Sequence, residues 1–176
     1  MELRTIEPPH LPLIYRAVVH PRDGYRWRFR GATPDFGHFE STFSDGVLAQ
    51  YLVVERTSGT PQGLVVAYNA RFDSGHCSIG FVRLSPGRNG EMLEGMFLLI
   101  DQLFRTWPLR KVYAEIPEFN YIHLFGDAEQ VAPPFPIEGR LTEHEYFADR
   151  WWDLITMSIR RDEWDKAATR WRPFLR

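Results

Sequence analysis

A mixed α/β (α+β) fold built on a mostly antiparallel sheet is predicted for this 176-residue chain by three features. Apolar runs of strand length at 47–55, 63–72 and 77–84 are separated by Ser58-Gly59-Thr60-Pro61 and Asp73-Ser74-Gly75, which reads as an antiparallel meander. A helix-period segment from Glu91 to Arg105 lies between strand-like runs at His76 to Leu84 and Lys111 to Ile116, which reads as one strand-helix-strand crossover. Two further strands, Ile137 to Phe147 and Trp151 to Ile159, are joined at Ala148-Asp149-Arg150 as a hairpin.

The remaining elements follow in order. Leu3 to Ile6 reads as a first strand, and Pro8-Pro9-His10-Leu11 opens a loop into a helix around Leu13 to Val19. Tyr25 to Arg30 alternates aromatic and basic residues, a pattern that suits a strand edge, a pocket wall or a nucleic-acid platform. A short helix from Phe36 to Phe43 ends at Asp45-Gly46. In the crossover helix, Met92, Leu93, Met96, Phe97, Leu99, Ile100, Leu103 and Phe104 form a broad apolar stripe that must face a sheet, and Pro108 ends the segment. After Ile116 come a helical patch from Asn120 to Phe125 and a Pro-rich connection, 131–136. Trp27/Phe29 and Trp151/Trp152 suit either an acceptor pocket or a core, with at least one Trp of the second pair expected in the core.

Length and an apolar content of 44% fit one domain over residues 1–176 with a single sizeable core. A net charge of -2 gives no general attraction to nucleic acid or to an anionic membrane. No run reaches the length of a membrane span and the first residues do not resemble a signal peptide, so a cytoplasmic location is expected. The single cysteine, Cys77, excludes an internal disulfide and a multi-cysteine zinc site. His-x-x-x-His and Cys-x-x-Cys spacings are absent, so no metal is expected. Lysine occurs only at Lys111 and Lys166 among many arginines, a composition associated with GC-rich bacterial genomes.

The turn Ser85 to Gly90 delivers the chain into a helix start. The first helical N–H groups there have no intrahelical partners and point outward, where the helix dipole favours an anion such as a pyrophosphate. Glu91 also reads as an ordinary first-turn acid that serves the same dipole. Cys77 sits in a strand with no activating partner evident, which suits a buried inert thiol. Strand alternation puts Glu143 and Glu145 on one face and His144 on the other, so these residues form no local metal pair.

Three stretches together resemble the GNAT superfamily of acyl-CoA-dependent N-acyltransferases, and within it the RimJ/RimL-like branch. They are Val82-Arg83-Leu84-Ser85-Pro86 running through Gly87-Arg88-Asn89-Gly90 into the helix; Lys111-Val-Tyr-Ala-Glu115 followed by Asn120; and Ile137-Glu-Gly-Arg-Leu141, Glu143-His144, Trp152-Asp153 and Arg161-Asp162-Glu163-Trp164. The likeness covers roughly residues 47–164, and the N-terminal third fits in element order. It implies a central sheet that splays in a V between its fourth and fifth strands, with helices on its flanks.

The resemblance also implies acetyl-CoA, or another acyl-CoA, as cosubstrate. Its pantetheine arm would bond the backbone of Val82, Arg83 and Leu84 as an added strand would. The pyrophosphate would sit on Gly87, Arg88, Asn89, Gly90, Glu91 and Met92, and Asn120 would bond the pantetheine region. Asn120 reads alternatively as a helix N-cap. The run departs from the family pattern: the arginine is displaced by one, Met92 stands where a second small residue is usual, and Glu91 adds a carboxylate. His123 occupies the position of a serine that protonates the departing thiolate, and reads alternatively as a packed or surface histidine.

Glu115, ahead of Glu118, is the first choice for the base that frees the amine, with a solvated strand residue as its other reading. The implied reaction is direct attack by a primary amine on the thioester. The acceptor is a peptide or protein N-terminus or a small-molecule amine such as an antibiotic or polyamine. The alternative is a GNAT fold that has lost catalysis and serves as an acyl-CoA-binding or regulatory module. A homodimer through the sheet edge or the Trp164 to Trp171 tail remains open as a partner.

Overall fold

The computed structural model describes residues 1–20, 32–85, 89–125 and 135–171. Its strands are β1 (Glu2–Arg4), β2 (Val47–Val54), β3 (Pro61–Arg71), β4 (His76–Arg83), β5 (Lys111–Pro117), β6 (Ile137–Phe147) and β7 (Arg150–Arg160). The helices are α1 (Leu11–Val18, preceded by a 3-10 turn at Pro8–His10), α2 (Phe36–Thr42), α3 (Asn89–Thr106), α4 (Glu118–Phe125) and α5 (Arg161–Trp171). The strands pair in the order β1-β2-β3-β4-β5-β7-β6. The β4–β5 pair is parallel, and β1–β2, β2–β3, β5–β7 and β7–β6 are antiparallel. Meander, crossover and C-terminal hairpin all lie where the sequence puts them.

By its internal contacts the chain divides into two compact units. The first is mainly Met1–Asn69 with Phe81–Ile100. Leu11, Ile14 and Val18 recur at helical spacing on one face of α1 and pack with Phe39 and Phe43 against Leu52, Val54 and Leu64. The Asp35 carboxylate accepts the His38 amide at 2.9 Å and caps the start of α2. Val53 points to the other face of β2, where α3 comes so close that a Cβ at Gly95 would lie 2.7 Å from Val53 Cγ1.

The second unit is mainly Ala70–Gly80 with Asp101–Phe174. Val112, Ala114 and Ile116 of β5 stand opposite Ile159, Met157 and Ile155 of β7, all of them buried. The last turns of α3 add Leu103 and Phe104, and α5 adds Trp164 and Ala168. Trp164 is 1% exposed, so this part of the expected tail surface is core. Its indole N–H donates to Asp101 Oδ1 at 3.2 Å.

Two local differences from expectation bear on function. The β6–β7 turn has two residues, Ala148 and Asp149, both at positive φ, and Arg150 already pairs with Phe147. That is the turn whose twist matches the two strands. β6 also slips against β7 twice, gaining one residue between Ile137 and Gly139 and two between Leu141 and Glu145. The second slip places Glu143 at φ 49 and breaks the strict alternation expected of Glu143, His144 and Glu145.

Candidate active site

The parallel register of β4 and β5 runs from His76↔Lys111 to Ile79↔Ala114 and stops there. Both strands continue, β4 to Arg83 and β5 to Pro117. The Leu84 amide donates to Gln62 O at 2.9 Å, on the β3 side. Backbone direction alternates along a strand, so Leu84 and Val82 address β3 while Phe81 and Arg83 address the opposite edge. Of the three residues implied by the resemblance, Arg83 faces the edge away from β3, as does Phe81, which was not singled out from the sequence.

α3 begins at Asn89, with Gly90 exposed, Glu91 half-buried and Met92 fully buried. Gly87 and Arg88 lie outside the described residues, as does the side chain of Asn89. The unusual Met92 is housed by Gly63 of β3. A Cβ there would overlap Met92 Sδ and Cε and lie 2.7 Å from Val82 O. Met92 thus turns away from the helix opening, and the small residue that lets elements approach is supplied by the strand. Gly63→Ala is expected to cost about 1–3 kcal/mol as overpacking. Adding Met92→Ala should restore only part of it, because the Val82 carbonyl is backbone; urea midpoints of the three proteins check this.

In the second unit Glu115 is exposed, pairs in register with Thr156, and shares a face of β5 with Lys111 and Tyr113. Among the described residues it has no hydrogen-bond or ion-pair partner. Glu118, the other candidate carboxylate, accepts from Arg140 Nη1 at 2.7 Å. α4 starts at Glu118, two residues earlier than expected, so Asn120 lies within its first turn and is not its N-cap. His123 lies on α4, with its side chain outside the described residues, and the Tyr25 to Arg30 segment with Trp27 and Phe29 is outside them altogether. Cys77 is buried, and that burial pushes its thiol up to about 11, so it stays protonated at neutral pH and serves as packing.

Several charges near Glu115 are paired. Lys111 bonds Glu138, which also accepts from the buried Ser158 hydroxyl at 2.7 Å; Lys111 and then Ser158 hold the Glu138 carboxyl below its usual range. Arg140 and the Glu143 amide do the same for Asp153. Trp152 is half-buried against Phe119, with Arg150 3.6 Å over its ring, while Trp151 is exposed, so neither tryptophan of this pair is fully in the core. Among the described residues no three His, Cys, Asp or Glu side chains gather to hold a metal ion.

No family model and no curated protein sequence matches the chain. Solved structures do. A single-residue mutant of the spermidine N-acetyltransferase SpeG from Vibrio cholerae superposes with a TM-score of 0.74 at 18% identity, over 96% of this chain and 99% of that one. The fold is that of the GNAT acyltransferases. The Vibrio cholerae spermidine N-acetyltransferase in complex with CoA and spermine gives a TM-score of 0.72 at 18% identity, over 93% and 96% of the two chains. The same enzyme with manganese ions gives 0.69 at 18% identity, over 96% and 95%. At these identities the likeness is one of fold, and it does not single out the RimJ/RimL-like branch.

Proposed function

We propose that this protein is an acyl-CoA-dependent N-acetyltransferase that moves an acetyl group from acetyl-CoA to a primary amine. The observation that carries the reading is the parallel β4–β5 pair, whose register ends at Ile79 and Ala114 although both strands run on. The backbone of β4 beyond that register suits an extended amide-bearing chain, which is what a pantetheine arm is. Support comes from near full-length likeness to enzymes named for spermidine, one of them solved with CoA and spermine. On that support a small-molecule amine is ranked ahead of a peptide N-terminus as acceptor.

In this reading the arm runs along the end of β4 at Arg83, on the edge away from β3, while Val82 and Leu84 are turned to β3. The backbone amides of the segment from Gly87 to Met92, which leads into α3, take the pyrophosphate. Asn120 bonds the uncharged arm. Acyl transfer then needs positioning and a neutral amine. Glu115 takes the ammonium proton, directly or through water, and the amine nitrogen attacks the thioester carbon. The tetrahedral adduct loses its second nitrogen proton to water and collapses by breaking the C–S bond, and His123 gives a proton to the CoA sulfur. The absence of an activated cysteine fits a reaction with no covalent enzyme intermediate.

The first-turn acid Glu91 favours a second reading, a binding or regulatory module without turnover. Thermal shift with acetyl-CoA and a thiol-release assay over an amine panel separate the two. Amine-dependent release supports the enzyme, stabilisation without release supports the module, and neither response with any acyl-CoA rejects both. Within the site, Glu91→Gln should tighten CoA by about 0.3–1 kcal/mol by removing a like charge, and less so in high salt. Arg88→Ala should weaken it by about 1.5–3 kcal/mol if Arg88 bonds a phosphate. Calorimetric titration reads both, and unchanged affinity in both variants would displace the pyrophosphate from this turn.

A further inference from the structure

The most specific stretch of the sequence, around Arg140 and Asp153, has no part in the chemistry above, yet it forms a closed polar network. Arg140 Nη1 alone donates to two carboxylates: Glu118 Oε1 at 2.7 Å, on the first residue of α4, and Asp153 Oδ2 at 2.9 Å, on β7. The other oxygen of Asp153 accepts the Glu143 amide at 3.0 Å. That amide lies inside the second slip of β6, where it has left the ladder and needs another acceptor. Asp153, the residue between the re-paired Leu154 and Trp152, supplies it. One guanidinium nitrogen therefore ties the bulge of β6, the middle of β7 and the first turn of α4.

An eight-residue helix holds its own shape weakly, so its contacts fix its course. Among the described residues, two contacts tie the start of α4 to the hairpin. One is aromatic, Phe119 stacked 4.7 Å from Phe147 and edge-on to Trp152 at 5.4 Å. The other is the Arg140–Glu118 pair, two residues before Asn120. Both contacts are made from the first turn, by Phe119 and by Glu118, the residues just before Asn120.

We infer that Arg140 is a positioning residue for acyl-CoA: by holding Glu118 beside Asp153 it fixes the first turn of α4 and with it the Asn120 amide. This rests on the reading of Asn120 as a partner of the pantetheine arm. Removing Arg140 leaves the aromatic contact intact, so the variant keeps its fold, which near-ultraviolet circular dichroism verifies. Glu118→Gln probes the same link from the other end.

The experiment compares the parent with Arg140→Met, Arg140→Lys, Glu118→Gln, Asn120→Ala and the Arg140→Met/Asn120→Ala pair by acetyl-CoA calorimetry and by amide hydrogen exchange of α4. Arg140→Met and Glu118→Gln are expected to speed exchange in α4 relative to α3, and Arg140→Met to weaken acetyl-CoA by roughly 3- to 10-fold. Because both bonds leave one nitrogen, the single ammonium of Arg140→Lys should restore most of both properties. The double variant should lose no more affinity than the worse single one. Unchanged α4 exchange in Arg140→Met, no rescue by lysine, or losses that multiply in the double variant would overturn the inference. If the parent fails to bind acetyl-CoA, the functional reading falls, and the exchange arm alone then decides whether Arg140 holds α4.

Discussion

Trp164→Ala is expected to destabilise the protein by about 3–5 kcal/mol, measured as a fall in the urea midpoint at unchanged slope. The side chain is 1% exposed and is among the largest fully buried ones. The loss combines a cavity with the lost bond from the indole N–H to Asp101, whose ion pair with Arg105 remains. Trp164→Phe keeps most of the volume and removes only that bond. It should cost about 1–2 kcal/mol, which separates packing from hydrogen bonding. A loss below about 1 kcal/mol in the alanine variant would mean that α5 does not close this core.

The second large effect is expected at Arg161. Its guanidinium donates to Trp107 O at 2.7 Å and Leu109 O at 2.8 Å, and also bonds Phe104 O. These carbonyls belong to the end of α3 and the turn beyond it, where helical carbonyls have no intrahelical donor. A cation there also meets the negative end of the helix dipole. Arg161→Met keeps the aliphatic stem and removes all three bonds, so a loss of roughly 3–5 kcal/mol is expected, the bonds being far from additive. Arg161→Lys should recover less than half, since one ammonium cannot span three divergent acceptors. Chemical denaturation of the two variants checks both values. Equal stability of the methionine and lysine forms would show that charge and hydrogen bonding count for little at this end of α3.

Most of the sheet was legible because its strands obey simple rules. β6 spans Ile137–Phe147 as the sequence suggests, and β4 and β5 differ from expectation by a single residue at one end. α5 was not legible. Among its described side chains only Trp164 and Ala168 are buried, one turn apart among charged neighbours, so its apolar stripe is too narrow to register as a period. The Arg140 network was hidden for a related reason. Which charges meet across β6 and β7 depends on register, and the two slips in β6 cannot be derived from alternation. The housing of Met92 needed a third element, Gly63 in β3, that no spacing within the turn or helix could reveal. Glu115 lies near the far end of β5, where the strand pattern puts it, and is exposed, as its reading as a solvated strand residue implies.

The two slips have a further consequence for how the protein behaves when concentrated. β6 is one of the two edge strands of the sheet, and its residues from Ile137 to His144 are all exposed, with the apolar Ile137 and Leu141 among them. A long, flat, greasy border of this kind templates fibre growth, because an incoming chain extends the ladder at no cost in geometry. Here regular pairing survives only over Gly139–Leu141 and Glu145–Phe147, so the border changes direction before a stranger can zip along it. The irregularity that frees the Glu143 amide for Asp153 thereby also protects the molecule from polymerising through its own rim.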